Sequence, residues 1–327
     1  MNKRYIKRTS RRLYIREQLT GYGSKNTIEI PYQEKYINFM LNERGCEIVT
    51  VEKNLRFVRE FVEYLRQEYD LINFVPEKIE PGHIRRYLAY LKNERNNKPS
   101  TRNSKLSALA SYYFFLECYE YVEEDDNPTL FIRKAKVPRQ LPIYITKEEA
   151  EQLIEAASRS SCPERDVAIL RVMIQTGIRV GELVKLRLRD IDFKERTLSI
   201  QGKGHRERLV PITDNTCDAL KAYLDIRYQT QTQTHSDAVF LNQHQNPIKQ
   251  GPLYTLFKKL CLTAGVIKPK LSVCHLRHTC LTLLLQEGAD LMALKKLAGH
   301  QSLRTTQLYI HVTQVQLRQA MKKHPLS

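Results

Sequence analysis

Residues 271–279 read LSVCHLRHT and bring two histidines, an arginine and a cysteine close together in the chain. Such a cluster can bind a metal ion, clamp a phosphate group, or form the polar start of an ordinary helix. A structural zinc site usually has four ligands in recognisable pairs. Cys274 and His278 can share a helical face, but Cys280 points elsewhere and the sequence offers no second pair. We therefore expect no metal ion here, and no cofactor.

Three further segments carry side chains suited to a phosphodiester substrate. They are TGIRVGEL (176–183), GKGHRER (202–208) and LAGHQSLRTTQLYIHV (297–312). Taken singly, each segment is weak evidence. An arginine in TGIR can cap a helix, a lysine in GKG is common at a hairpin tip, and LYIH is an ordinary helical fragment.

The overall charge favours a polyanionic partner. The chain has 53 Lys and Arg against 36 Asp and Glu, a formal net charge of +17. Nucleic acid is the first candidate and an anionic membrane surface the second. A basic but otherwise ordinary soluble protein is the alternative. No apolar run approaches the roughly 20 residues that a membrane span needs, so we expect no membrane partner.

The N-terminus and the cysteines indicate a cytoplasmic protein. The stretch MNKRYIKRTSRRLYIREQ has no apolar core and so does not fit a secretory signal, although an organelle transit peptide is an alternative. The seven cysteines include no C-x-x-C spacing, which favours reduced thiols over a disulfide framework.

Together and in this order, the four segments resemble those of the tyrosine recombinase (phage integrase) family, whose order is Arg, Lys, His-x-x-Arg, His, Tyr. The residues that match family positions are Arg179, Glu182, Lys203, Arg277, His300 and Tyr309. LPIYITKEEAEQLIEA also resembles the start of the family's catalytic domain, and residues 100–117 resemble the last core helix of the Xer-type N-terminal domain. The resemblance extends over roughly residues 28–320.

This resemblance implies cleavage of duplex DNA without metal or ATP. Tyr309 would be the nucleophile, and its 3′-phosphotyrosine product would store the bond energy for rejoining. Arg179 and Arg277 would bind the phosphate oxygens, because planar guanidinium forks fit them and stabilise the charge of the transition state.

The resemblance assigns supporting roles to three further residues. Lys203, at the hairpin turn, would protonate the leaving 5′ oxygen. His300 would donate to the same phosphate. Glu182 lies three residues after Arg179 on one helical face, where it can orient the guanidinium. Three neighbours of Lys203 could share its role: His205, Arg206 and Arg208.

One position departs from the family. The family histidine three residues before the second arginine is Cys274 here, and His275 is one step late. A thiol is a weak donor, and His275 can replace the histidine only if the backbone is irregular at this helix start. Loss of one transition-state donor costs about 10²–10³ in rate. We expect an enzyme that is slow at this step or that recruits His275.

Elements on both sides of a linker must position these residues. Residues 1–27 form a basic arm, 28–130 a helical core-binding (SAM-like) domain, and 131–144 a basic linker. Residues 145–327 form the catalytic domain with a C-terminal tail helix. Apolar residues at helical spacing predict about four helices in the first domain. Those of one helix are Val51, Leu55, Val58, Val62 and Leu65.

The catalytic domain is predicted to be mostly helical with a small antiparallel sheet. Thr146 and Glu149 form a capping box that starts its first helix. Residues 166–193 look mainly helical, with Gly177 and Gly181 as interruptions, and 197–212 read as two strands joined by a turn. Residues 239–248 read as a short strand and turn. The fold class is therefore mainly α with a small antiparallel β-sheet, in a two-domain DNA clamp.

Basic residues outside the catalytic set are candidate DNA contacts. They lie near the start of the 100–117 helix, in the linker and at the hairpin: Arg102, Lys105, Lys134, Lys136, Arg139, His205 and Arg206. Such phosphate contacts make affinity strongly dependent on salt.

The family implies a site-specific recombinase that integrates, excises or resolves a DNA element. Its partners would be duplex DNA with paired recognition sites and further copies of itself in a tetramer, and a paired recombinase subunit is an alternative partner. Exchange would pass through a Holliday junction. The basic arm is an addition to the minimal Xer plan and favours a mobile-element enzyme. A type IB topoisomerase-like enzyme and a catalytically inactive DNA-binding protein are the alternatives.

Overall fold

Helices dominate the computed structural model, which describes residues 28–69, 74–138, 142–202, 207–230 and 236–299. Its contacts divide the chain into two compact units, Met1–Arg139 and Gln140–Ser327. The predicted fold class is confirmed, since a three-stranded antiparallel sheet is the β-structure beside the helices in the described ranges. The predicted arm, 1–27, and the tail helix lie outside the described residues.

The first unit is built around long amphipathic helices. Its α-helices are α1 (Gln33–Asn38), α2 (Ile48–Tyr69), α3 (Pro81–Asn93) and α4 (Pro99–Cys118). All five apolar residues predicted to line one face of α2 are buried. Proline at the first position of α3 and α4 supplies a suitable φ and lacks an N–H that would have no helical partner. Tyrosine and phenylalanine rings fill much of the core between these helices.

The second unit contains seven α-helices among its described residues. They are α5 (Lys147–Ser158), α6 (Pro163–Thr176), α7 (Val180–Leu183), α8 (Asp214–Thr230), α9 (Gln250–Thr263), α10 (His275–Gln286) and α11 (Leu291–Ala298). The capping box at the start of α5 is confirmed: the Thr146 hydroxyl accepts from the Glu149 N–H, and the Glu149 carboxylate accepts from the Thr146 N–H. Helix α6 packs against α5, α8 and α10 at the centre of this unit.

The sheet has the order β1–β2–β3, formed by Ile191–Asp192, Thr197–Gln201 and Glu207–Pro211. The predicted pair of strands within 197–212 is confirmed, with Ser199 opposite Leu209. The prediction of a mainly helical run over 166–193 is wrong at its end, because Ile191 and Asp192 pair with β2 as strand β1. The predicted strand at 239–248 is an isolated bridge, Leu241 to Pro247.

Candidate active site

Five of the predicted catalytic residues lie in the described part of the second unit: Arg179, Glu182, Cys274, His275 and Arg277. The others lie outside the described residues: Lys203, His300 and Tyr309, together with the DNA-contact candidates Arg139, His205 and Arg206. The described residues include the ends of the segments that lead to them. Strands β2 and β3 lie before and after residues 203–206 in the chain, which include Lys203, and α11 ends at Ala298, just before Gly299 and His300.

Arg179 stands at the N-terminus of the short helix α7 and is held there by Glu182. The Arg179 N–H donates to Glu182 Oε2 at 2.9 Å, and Arg179 Nη1 donates to Glu182 Oε1 at 2.9 Å. The Arg179 side chain stays 47% exposed, whereas that of Glu182 is 7% exposed. A buried carboxylate therefore anchors one side of a guanidinium that is open to solvent.

Arg208, on β3, is the second arginine on Glu182. Its Nη1 donates to Glu182 Oε1 at 3.1 Å, and its Nη2 donates to Oε2 at 2.8 Å, so the pair is bidentate. Burial by itself raises the pKa of Glu182, but hydrogen bonds from Arg208 and then Arg179 outweigh it and hold that pKa below its ordinary value. Sequence reasoning placed Arg208 near Lys203 and missed this contact, because Glu182 lies on a different element.

Arg277 is buried and joins two distant parts of the chain. Its Nη1 donates to the Gly177 carbonyl at 2.7 Å, and its Nη2 donates to the Ala298 carbonyl at 2.5 Å. Gly177 lies two residues before Arg179, and Ala298 lies two residues before His300. Two fixed carbonyl acceptors set the plane of this guanidinium and place it beside the segment that carries Arg179.

Gly177 permits the close approach of α10. It ends α6 with a left-handed φ of 63°, a conformation that favours glycine. A Cβ atom at this position would lie 3.1 Å from Cys280 Sγ and 3.3 Å from Cys280 Cβ. Burial raises the pKa of the Cys280 thiol to about 12, so it is a packing group and a poor nucleophile.

The start of α10 is a tight turn that exposes Cys274. His275 is the first helical residue, and its Nδ1 accepts from the Ser272 N–H at 3.0 Å, so a neutral His275 carries its proton on Nε2. Cys274 Sγ lies 3.0 Å from the hydroxyl of Tyr254, a half-exposed residue of α9. No local sequence signal marks Tyr254, since it lies on α9 and reaches Cys274 only in the folded unit. Burial lowers the pKa of the half-buried His278 below its ordinary value.

Arg208 and Arg277 also hold the end of α11. The Leu297 carbonyl accepts from Arg208 Nε at 3.0 Å, next to the Ala298 carbonyl that accepts from Arg277. Gly299 follows with a φ of 61°, and a Cβ there would lie 3.2 Å from Arg208 Cδ. These contacts bring α6, α7, β3, α10 and α11 to one place.

The first unit holds the remaining candidate DNA contacts. Lys105 is buried and its ammonium group pairs with Glu60 at 2.5 Å, which favours a role within the unit over the predicted phosphate contact. Arg102 lines a groove of about 490 Å³ that also includes Arg85, Lys92 and Arg133.

The linker begins against the first unit. Lys134 and Lys136 are exposed and flank Ala135, whose N–H and carbonyl both bond to the Asn103 side chain at 2.8 Å. Among the described residues, no group of three or more His, Cys, Asp and Glu side chains is placed to bind a metal ion.

Comparisons with known proteins agree with this fold. Sequence profiles of the phage integrase N-terminal SAM-like domain and of the phage integrase family match residues 34–120 and 144–315. Tyrosine recombinase XerC of Thermodesulfovibrio yellowstonii is 33% identical over 90% of this chain and 97% of its own length. Tyrosine recombinase XerD of Staphylococcus saprophyticus is 31% identical over 89% of this chain and 98% of its own.

A solved structure of XerH site-specific recombinase bound to palindromic difH substrate has a TM-score of 0.70 at 20% identity, over 95% of this chain and 93% of that one. The two family matches and these relatives show that the chain is a site-specific DNA recombinase. The chain belongs to the phage integrase family and is a tyrosine recombinase of the Xer type. Within the described ranges, no helix is long and apolar enough to cross a bilayer.

Proposed function

We propose that this protein cleaves and rejoins duplex DNA through a phosphotyrosine formed by Tyr309, and exchanges strands through a Holliday junction. The observation that carries the proposal is the contact of Arg277 with Gly177. It places the Arg277 guanidinium against Gly177, which lies two positions before Arg179 in the chain, although the two arginines are far apart in the sequence. Two arginines beside one another are the donor set that a scissile phosphate requires.

In the proposed reaction the Tyr309 oxygen bonds to phosphorus, the phenolic proton leaves, and the bond from phosphorus to the 5′ oxygen breaks. Lys203 gives a proton to that 5′ oxygen, which leaves as a hydroxyl. Arg179, Arg277 and His300 donate to the non-bridging oxygens. Rejoining reverses the steps with a 5′-hydroxyl from the partner strand, so no external energy source enters.

The site is unusual at the family histidine position. Cys274 and His275 are both candidates for the missing donor, and Tyr254 is a third because its hydroxyl lies against Cys274 Sγ. We expect Cys274→His to raise the cleavage rate, and His275→Ala or Tyr254→Phe to lower it. If none of the three substitutions changes the rate, no donor is missing at this position.

The partners are inferred from the charge and from the relatives. We propose duplex DNA with paired recognition sites as substrate and a tetramer with half its subunits active at a time. The tail at 312–327 would dock on a neighbouring subunit. Arg102, Lys134 and Lys136 would contact phosphates, as would Arg139, His205 and Arg206. A paired recombinase, a mobile-element origin and a cytoplasmic location stay predictions from the sequence.

The deciding experiment is covalent trapping on DNA. Duplexes that bind the full chain are recovered from a random-sequence pool, footprinted, and nicked near the centre of the protected region so that cleavage becomes irreversible. We expect a denaturant-stable protein–DNA adduct with wild type and none with Tyr309→Phe, at equal DNA affinity. If wild type and Tyr309→Phe both form no adduct, the protein is an inactive DNA-binding protein.

A second assay separates recombination from topoisomerase activity. Plasmids that carry two copies of the selected site are incubated with the wild-type protein, and both topology and connectivity are analysed. Exchange of the segments between the sites supports the proposal. Relaxation of supercoils without exchanged products would instead identify a type IB topoisomerase-like enzyme.

A further inference from the structure

Arg208 contacts the supports of two separate catalytic segments. Its side chain, 15% exposed, uses both terminal nitrogens on the Glu182 carboxylate and its Nε on the Leu297 carbonyl. Glu182 in turn holds Arg179, and Leu297 lies in the last turn of α11, three residues before His300. Arg208 itself lies on β3, five residues after Lys203 in the chain.

We propose that Arg208 is a positioning residue for strand cleavage: it fixes the guanidinium of Arg179 through Glu182 and the end of α11 through Leu297. This inference rests on the proposed function, since it concerns the same site. Arg208 touches the supports of the catalytic residues and acts on the phosphate only through them.

The link to Arg179 works through a shared carboxylate. Each oxygen of Glu182 accepts from Arg208 and from one N–H of Arg179, the backbone N–H on Oε2 and Nη1 on Oε1. Without Arg208, the buried carboxylate keeps only the half-exposed Arg179 as its charged hydrogen-bond partner among the described residues. Burial then favours the protonated acid, which accepts poorly at one oxygen and releases the Arg179 side chain.

The link to α11 works through a helix end. The last carbonyls of a helix have no partner within it, and here Leu297 and Ala298 are satisfied by Arg208 and Arg277. Gly299 packs directly on the Arg208 side chain, where a Cβ would lie 3.2 Å from Cδ. The direction in which the chain leaves α11 is therefore set by Arg208 and Arg277 together.

The test uses full-chain Arg208→Met and Arg208→Lys on the selected nicked duplex. We expect Arg208→Met to slow single-turnover adduct formation about 10- to 100-fold, since small misplacements of catalytic groups cost this much, while DNA affinity stays at its wild-type value. Arg208→Lys keeps the charge and should recover part of the rate. Arg187→Met is the matched control: it removes an arginine of an exposed ion pair with Asp237 and should leave the rate unchanged.

A pH profile of the same step adds a readout that a purely structural role would not move. Arg179 on α7 and Arg208 on β3 are the charged side chains that hydrogen bond to Glu182 within the described ranges. Loss of Arg208 raises the pKa of Glu182, so the acid limb of the cleavage rate should move to higher pH in Arg208→Met and less in Arg208→Lys.

Three results would overturn the proposal: an unchanged rate in Arg208→Met, an unmoved acid limb, or a rate loss fully accounted for by weaker DNA binding. If Arg208→Met does not fold, Arg208→Lys decides, because a lysine lacks the planar fork with which Arg208 pairs both Glu182 oxygens while its Nε bonds to Leu297. A wild-type rate for Arg208→Lys would then reject the proposal. Failure of the wild-type protein to form any adduct would refute the proposed function instead.

Discussion

Replacing Glu182 with glutamine is the most informative single change in the second unit. Glutamine keeps the size and one carbonyl acceptor of the side chain but removes its charge. It also turns an N–H₂ group toward donors of Arg179 or Arg208, which now meet an acceptor on one side only. The substitution therefore leaves the largely buried Arg208 guanidinium without its counter-ion.

The expected loss of stability follows from the burial of the pair. Removing one partner of a buried ion pair costs about 3–5 kcal/mol, because the other charge is left uncompensated. The retained acceptor and the 47% exposure of Arg179 reduce this figure, and we expect about 3 kcal/mol. In a unit of this size each kcal/mol lowers Tm by about 2–4 °C, so Tm should fall by about 6–12 °C.

The pH dependence of this loss has a defined sign. The folded protein holds the pKa of Glu182 below the value of 4.5 expected for an unfolded chain, so the ionised carboxylate stabilises the fold above that value. As the pH falls from there through the folded pKa, the contribution is lost. The glutamine variant has no such titration, so its deficit relative to wild type should be largest near neutral pH and shrink below about pH 4.5.

Thermal unfolding by far-ultraviolet circular dichroism is the appropriate measurement, since the chain has no tryptophan to serve as a fluorescence probe. Asp237→Asn is the matched control: it neutralises an acid of an exposed pair with Arg187 and should cost less than about 1 kcal/mol. A Glu182→Gln deficit no larger than that of Asp237→Asn, or one that grows on acidification, would refute the reasoning.

Three further predictions address backbone and surface. Gly177→Ala should cost about 2 kcal/mol, because alanine meets a left-handed φ as well as Cys280 Sγ and Cβ. Adding Cys280→Ala removes only the Sγ contact and should restore part of the loss in melting experiments, and full restoration would argue against the φ penalty. Arg102→Ala should reduce the slope of log affinity against log salt by about 1 on the selected duplex, and an unchanged slope would exclude Arg102 as a phosphate contact. Lys105→Ala should leave that slope unchanged and should lower Tm, because it removes the ion-pair partner of Glu60. A smaller slope would instead show that Lys105 contacts a phosphate.

The elements with strong local signals were predictable. The apolar spacing of α2, the capping box at Thr146 and strands β2 and β3 each depend on residues that are neighbours in the chain. Strand β1 was missed because it is two residues long and its pairing depends on β2. The ion pair of Lys105 could not be predicted because its partner, Glu60, is on another helix.

In the candidate site, too, local motifs were predictable and contacts between elements were not. The order of Arg179, Arg277 and their local motifs could be read from the sequence, since each motif has its own neighbours. The contacts that hold them could not be predicted. Arg208 reaches Glu182 and Leu297 across three elements, and Tyr254 on α9 contacts Cys274, 20 residues away in the chain. Single residues with no local pattern acquire partners only from the packed fold.

The amide of Asn103 has a practical consequence for dissecting the protein. It bonds both backbone groups of Ala135, and Ile132 packs on the core of the first unit. A fragment cut at residue 130 would therefore lose the segment around Ile132 and Ala135 that packs on its own surface. Limited proteolysis should cleave the linker only after Ala135. Fragments of the N-terminal half should keep the chain through at least Pro138.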